Sequence, residues 1–263
     1  MRLRRIRELL QAQEFVDLQT LCKELGTSES SVRRDLAELE QAGVGKRVHG
    51  GVLASEPKVE LDFGRQSKRA PDEKRRIGEL AAGLVKDGQT VILDGGSTTA
   101  AVARVLASRR LRVITNSLPI AQAFWDSRTA EVTLTGGFLY PSVGVLLGSI
   151  CEDMLAGVSA DLAIMGVGGV TAEGLSNNNT MIVGTEQKMI AAARRVMIVA
   201  DHGKFGRQAM VPLAPLDVVD VVVSDGALAP EYRRLLQRHK IELHLSSSAS
   251  PLTSRSPVHA DQR

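Results

Sequence analysis

Gly95-Gly96-Ser97-Thr98-Thr99 is the stretch of this sequence whose residue types most directly imply a ligand. It follows the apolar run Thr90-Val91-Ile92-Leu93-Asp94 and opens into Ala100-Ala101-Val102-Ala103-Arg104-Val105-Leu106. The order is strand, glycine turn, hydroxyls, helix start. A helix beginning there aims free backbone N–H groups and its positive end at an anion. Glycine lets the backbone come close, and Ser97, Thr98 and Thr99 add neutral donors. The stretch is no Walker A loop, since no Gly-Lys-Ser/Thr follows, and it lacks the GxGxxG dinucleotide fingerprint. A turn rich in glycine for packing alone is the bland reading.

A second group sits near the N-terminus. Ser28, Ser30, Ser31, Arg33 and Arg34 fall within seven residues. Arginine pairs bidentately with guanine or clamps phosphate, and small hydroxyls permit close approach to a groove. Lys46, Arg47 and His49 follow among Gly45, Gly50 and Gly51, where a short hairpin would carry them to a nucleic-acid backbone. The competing reading is a three-helix bundle for protein contacts, with Arg33 and Arg34 as a solvated pair.

The elements that must position these residues differ between the two ends. Leu3, Ile6 and Leu10 share one helical face, and Leu18, Leu21, Cys22 and Leu25 repeat at i, i+3, i+4, i+7. Gly26 ends that second helix, and Thr27 or Ser28 caps a third whose apolar stripe is Val32, Leu36 and Leu39. A turn this short sets the last two helices steeply, as in a helix-turn-helix, with the N-terminal half of the third helix facing the major groove.

From about residue 76, apolar β-rich runs alternate with amphipathic stretches, the pattern of an α/β domain. Runs 90–94, 111–115, 132–135, 161–165, 196–200 and 218–223 read as strands. They finish in small, polar or charged residues: Asp94, then Asn116-Ser117 after Thr115, Gly136-Gly137, Gly166-Val167-Gly168-Gly169, Asp201-His202-Gly203-Lys204 and Ser224-Asp225. Polar residues at successive strand C-termini form a shared crevice in open α/β sheets. Trp125, after Ile120 and Phe124, is expected in the core. The division is therefore 1–57 as a small, mainly α head, 58–75 as a linker, 76–245 as an α/β domain, and 246–263 as a Ser- and Pro-containing disordered tail.

Bulk composition bounds the function. The 263 residues carry a formal net charge of +3. Residues 1–55 hold nine Lys/Arg against eight Asp/Glu, so the electrostatic case rests on where the charges sit. Two cysteines, Cys22 and Cys151, are too few for a disulfide framework and fit a reducing cytoplasm. The basic start develops no apolar h-region, and no apolar run reaches the ~18 residues of a membrane span. No metal site, no cofactor and no membrane partner is expected.

Ser30-Ser31-Val32-Arg33-Arg34-Asp35-Leu36, with Leu39-Glu40, Gly43 and Arg47-Val48-His49-Gly50-Gly51, closely resembles the recognition helix and wing of the DeoR family of bacterial repressors. Gly45 departs from the family pattern, where a larger apolar residue is usual. Asp94-Gly95-Gly96-Ser97-Thr98-Thr99, Thr115-Asn116-Ser117, Leu134-Thr135-Gly136-Gly137 and Asp201-x-x-Lys204-Phe205-Gly206 resemble that family's C-terminal sensor domain. The resemblance implies an N-terminal winged helix-turn-helix and a C-terminal α/β domain with an open, mostly parallel sheet, similar in fold to ribose-5-phosphate isomerase. It implies a repressor that binds double-stranded operator DNA as a homo-oligomer, dimer or tetramer, and senses a phosphorylated sugar. Carried over, Gly95 to Thr99 hold the phosphate. Asp94, Thr115, Asn116, Ser117, Gly137 and Gly166 line the sugar, and Lys204 supplies a charge. Phe138-Leu139-Tyr140-Pro141 and His202-Gly203 depart from the family, which often has an Arg after Gly-Gly and a Ser before the Lys.

Two other functions compete. An isomerase-like enzyme needs a positioned base, usually a carboxylate. The turn 165–169 offers none, which leaves Asp94 and Asp201 as candidates, and no catalytic residue is assigned. An activator, or an orphan DNA-binder with a merely oligomerising C-terminal domain, would leave the polar strand ends without a purpose.

Overall fold

In a computed structural model of the chain, the described residues are 2–12, 15–41, 45–48, 50–54 and 63–247. They fall into two compact units, Met1–Asp62 and Phe63–Arg263.

The first unit runs α1 (Arg2–Ala12), β1 (Phe15–Asp17), α2 (Leu18–Leu25), α3 (Glu29–Gln41), β2 (Gly45–Val48) and β3 (Gly51–Ala54). Ile6, Leu10, Leu18, Leu21, Val32, Leu36 and Leu39 meet Val16 and Val52 in one core, so the helical stripes bury as their spacing requires. Asp17 caps α2, accepting from the Thr20 N–H at 2.8 Å, and Gly26 ends it in the left-handed conformation at φ 59°. The strands pair antiparallel in the order β1-β3-β2. The hairpin was expected, but β1 was not. Gly45 is buried, and a Cβ there would lie 2.8 Å from Val52 Cγ2. Its neighbours fill the space a larger residue would use, so the departure from the family pattern leaves no hole.

The second unit contains α4 (Phe63–Ser67), α5 (Pro71–Gly83), β4 (Thr90–Leu93), α6 (Ser97–Leu106), β5 (Arg112–Thr115), α7 (Leu118–Ala123), β6 (Glu131–Leu134), β7 (Phe138–Tyr140) and β8 (Val145–Leu147). It continues with α8 (Ser149–Ala156), β9 (Leu162–Met165), β10 (Gly169–Thr171), β11 (Gly174–Asn177), α9 (Thr180–Ala191), β12 (Val196–Val199), β13 (Val211–Ala214), β14 (Val221–Asp225), α10 (Pro230–Arg238) and β15 (Glu242–Ser246). The described residues build a seven-stranded sheet in the order β15-β14-β12-β9-β4-β5-β6, parallel at every pairing.

Side chains alternate between two cores. Val91, Leu93, Val113, Leu162 and Ile164 pack with α5, α6 and α7, whereas Ile92, Ile114, Ala163, Met165 and Ile198 pack with α8, α9 and α10. Layers on both faces explain why the strands read as continuous apolar runs. From β4 the chain steps outward to β5 and β6, then returns to the other side of β4 with β9. That reversal puts the topological switch point between β4 and β9, where open α/β sheets bind ligands.

Within the stretch 58–75 expected as a linker, α4 and the start of α5 are helical. Pro71 suits a first helical turn, Asp72 and Glu73 complement the helix dipole, and Lys74 and Ile77 are buried. Ser246 ends β15 opposite Asp225 instead of opening a tail; residues 248–263, like His49, lie outside the described residues. Trp125 is 84% exposed, not core. α7 ends at Ala123, and the turn in which the Trp125 N–H donates to Gln122 O breaks the helical spacing that would have buried it.

Candidate functional site

In the first unit, Ser28, Ser30, Arg33 and Arg34 are exposed on the N-terminal half of α3 and just before it, and Ser31 is half-buried beside them. Ser31 and Val32 donate their N–H groups to Ser28 O, which fixes Ser28 at the cap position. The Ser28 hydroxyl lies 3.1 Å from that of Ser30 and 3.2 Å from that of Ser31. Arg33 reaches Glu29 at 3.4 Å and Arg34 Nε reaches Ser30 O at 3.4 Å, long contacts that leave both guanidiniums available. Asp35, on the inner side, is 8% exposed and takes both Arg2 Nε (2.9 Å) and Arg2 Nη2 (3.3 Å), a fork that ties α1 to α3. Lys46 and Arg47 are exposed on β2. Glu40 accepts from the Arg47 backbone N–H (2.9 Å) and from Arg47 Nε (2.8 Å). That N–H and the guanidinium hold the Glu40 carboxyl below its ordinary pKa. The wing is thus pinned to the end of α3.

In the second unit, Asp94, Gly95, Gly96, Ser97, Thr98 and Thr99 lead from β4 into α6 at the switch point. A Cβ on Gly95 would collide with Val145 Cγ1, so only glycine lets this turn pass β8. Thr99 Oγ1 accepts from the Gly96 N–H at 2.8 Å and donates to Gly96 O at 2.7 Å, locking the turn. Thr99 is therefore committed to the loop, while Ser97 and Thr98 sit in the first helical turn, whose N–H groups have no acceptor inside the helix. Asp94 Oδ2 accepts from the Gly166 N–H at 3.2 Å, joining the ends of β4 and β9. Burial raises the Asp94 pKa to about 6 against the opposing Gly95 and Gly166 N–H groups.

The next strand end is adjacent: a Cβ on Gly95 would lie 3.4 Å from Ser117 Cβ. Thr115 Oγ1 donates to Leu93 O (2.7 Å) and accepts from the Ser117 N–H (3.1 Å); Ser117 Oγ accepts from Ile120 N (3.4 Å) at the start of α7. The Thr115 hydroxyl holds the ends of β4 and β5 together, and the Ser117 hydroxyl caps α7. Asn116 bonds Leu146 through its backbone O and its Nδ2, and its buried Oδ1 has no partner among the described residues. Gly137, at φ 116°, would clash with Leu147 O if it carried a Cβ, so its glycine answers to β8. Lys204 lies half-buried in the 3-10 turn after β12.

Residues 2–58 match the family model of the DeoR-like helix-turn-helix domain, and residues 69–226 match that of the DeoR C terminal sensor domain. The chain belongs to the DeoR family. Its relatives include the glycerol-3-phosphate regulon repressor of Escherichia coli K12, 31% identical over 90% of this chain and 95% of that protein. The HTH-type transcriptional repressor GlcR of Bacillus subtilis is 32% identical over 92% and 94%, and the regulator GolR of Listeria innocua 35% over 85% and 89%. This DeoR-family chain is accordingly a DNA-binding transcriptional regulator and not an enzyme. A ribose 5-phosphate isomerase from Methanocaldococcus jannaschii aligns with 51% of the chain and 54% of its own at 18% identity and a TM-score of 0.36, a likeness too loose to bear on chemistry. No described helix is long and apolar enough to cross a membrane.

Two polar groups of the DeoR-family chain escaped the sequence reading. Lys74, on α5, is 6% exposed and its Nζ donates to Gln66 O. Burial lowers its pKa; the Asp201 charge opposes this and the Lys204 charge adds to it, so Lys74 stands near the Lys204 turn. α5 and α6 both run back from the carboxyl edge of the sheet, and Gly78 abuts Ala101, which puts Lys74 one turn before that contact as Ser97 is. Glu186, on α9, is 1% exposed and accepts from Asn177 Nδ2 at 2.7 Å. Burial and the Asp94 charge raise its pKa well above the ordinary value, against the Asn177 hydrogen bond. Nothing in the sequence spacing pairs Asn177, at the end of β11, with Glu186 on α9.

Proposed function

We propose that this protein represses a carbohydrate-metabolism operon and leaves its operator when a phosphorylated sugar binds in the crevice between the ends of β4 and β9. One arrangement supports this above all. The turn Gly95–Thr99 opens α6 at the switch point, with the Lys74 and Lys204 ammonium groups near one another and buried Asp94 beside Gly166. A helix N-terminus with cations nearby suits a phosphate, and carboxyls suit hydroxyls. The name of the glycerol-3-phosphate regulon repressor agrees with a phosphorylated effector.

On the DNA side, Ser28, Ser30, Ser31, Arg33 and Arg34 enter the major groove, and Lys46, Arg47 and His49 meet the phosphates. A single recognition helix covers one half-site, so the chain acts as a homo-oligomer, dimer or tetramer, in the cytoplasm. The effector favours one conformation and shifts the population away from the one that grips DNA.

The test is fluorescence anisotropy with the DNA upstream of the protein's own gene, titrated with a panel of sugar monophosphates. At least one compound releases the wild type. Ser97→Asp, which sets a carboxylate where the phosphate would sit, abolishes release at that concentration. The reading fails if no sugar phosphate changes operator affinity, or if Ser97→Asp responds as the wild type does.

A further inference from the structure

Glu186 has one carboxyl oxygen satisfied and one stranded. Oε1 accepts from Asn177 Nδ2 at 2.7 Å, whereas buried Oε2 has no hydrogen-bond partner among the described residues. A buried polar atom without a partner is destabilising unless something outside the fold satisfies it. Asn177 ends β11, and its Cα would lie 3.0 Å from a Cβ on Gly168. Two residues earlier, Gly166 donates to Asp94 Oδ2 at 3.2 Å. A continuous path therefore runs from Glu186 through Asn177 and the turn 166–168 to Asp94, next to the glycine turn that opens α6. Asn116 Oδ1, on the neighbouring strand end, is buried and likewise unpartnered among the described residues. The charges divide by face: Lys74 belongs to α5, on the α5/α6 side of the sheet, and Glu186 to α9, on the opposite side.

We propose that Glu186, oriented by Asn177, forms with Asp94 a wall that reads hydroxyls on the effector's carbon chain, and that this chain is an uncharged sugar or polyol and not a sugar acid. The proposal rests on the phosphate seat at Gly95–Thr99. A hydroxyl both donates and accepts, so it pairs with a carboxyl in either protonation state. A ligand carboxylate would bring a third acid into a buried site that already holds two, with Lys74 on the other face of the sheet.

The experiment is calorimetric titration of the full chain with inorganic phosphate and with three matched pairs. These are glucose 6-phosphate against 6-phosphogluconate, glycerol 3-phosphate against 3-phosphoglycerate, and ribose 5-phosphate against 5-phosphoribonate. The neutral member of at least one pair binds about tenfold or more tighter than its acid, the scale of one charged hydrogen bond. Glu186→Gln, which matches the shape of the protonated carboxyl, keeps that preference, and Glu186→Met collapses it to about twofold or less. The wild-type ratio stands as a test even if Glu186→Met does not fold. Acids that bind as tightly as their neutral partners, a preference that survives Glu186→Met, or phosphate binding with no gain from any carbon chain each overturn the proposal. Absence of any binding, inorganic phosphate included, instead removes the phosphate seat on which it rests.

Discussion

Asp94 is the residue at which the fold and the proposed ligand chemistry meet most directly. Its carboxyl is buried between the glycine turn and Gly166, and burial lifts its pKa from 3.8 to about 6. A folded-state pKa above the unfolded one means the native protein holds a proton that the unfolded chain has released. Stability is therefore lost as pH rises from about 4 to about 6, by roughly 3 kcal/mol for a shift near two units. Above that window the cost is constant. Glu186, raised by burial and by the Asp94 charge, titrates with it as a pair, so the curve is broader than a single-site one. Asp94→Asn keeps an oxygen for the Gly95 and Gly166 N–H groups but has no proton to lose. Thermal unfolding of the variant and the wild type across pH 4 to 8 checks this. Their melting temperatures should converge near pH 4, and the variant should melt higher above pH 6.5. A difference independent of pH would mean that Asp94 does not ionise in a buried site.

At the scale of elements, six strands of the seven-stranded sheet and their polar C-terminal ends were legible, most of them because burial on both faces leaves unbroken apolar runs. β15 and the short β7, β8, β10, β11 and β13 were not. The helical stripes of the head were legible for the parallel reason, an unbroken i, i+3, i+4, i+7 spacing. What spacing cannot carry is a contact between distant elements. Phe15-Val16-Asp17 is too short to announce a strand, so Gly51 read only as part of a turn. In the fold, Gly51 stands opposite Asp17, and a Cβ there would collide with Val16 O and lie 2.9 Å from Asp17 Cα. Lys74 was hidden in a charged stretch that read as linker, and only the packing of α5 beside α6 shows it buried at the carboxyl edge of the sheet. The element-scale prediction follows from Gly51. Gly51→Ala must push β3 away from β1, at a cost of about 1–3 kcal/mol typical of overpacking against backbone. Hydrogen exchange of the full chain should show faster exchange at residues 15–17 and 51–53 and unchanged protection in the seven-stranded sheet, with weaker operator binding. Full protection of β1 and β3 in the variant would show that the wing sheet is not closed at this contact.

For the molecule as a whole, the head and the crevice belong to separate compact units, each with its own core. Regulation then has to be a coupling free energy between two binding events, whatever structural route carries it. Thermodynamic linkage makes that coupling reciprocal: if saturating effector raises the operator Kd by some factor, saturating operator must raise the effector Kd by the same factor. Typical couplings of about 1–3 kcal/mol correspond to roughly 5- to 150-fold, within reach of both measurements. The check has two arms. Anisotropy gives operator affinity at zero and saturating sugar phosphate, and calorimetry gives effector affinity with and without saturating operator duplex. Equal factors mean that one equilibrium between two states serves both sites. If the effector weakens operator binding but the operator leaves the crevice's effector affinity untouched, the crevice and the operator are not linked through this protein. Release would then have to come from something other than the crevice at the ends of β4 and β9, such as direct competition of the phosphate compound for Arg33, Arg34 and Lys46. A sodium sulfate control at matched ionic strength separates that case, because a competing anion needs no sugar and a linked effector does.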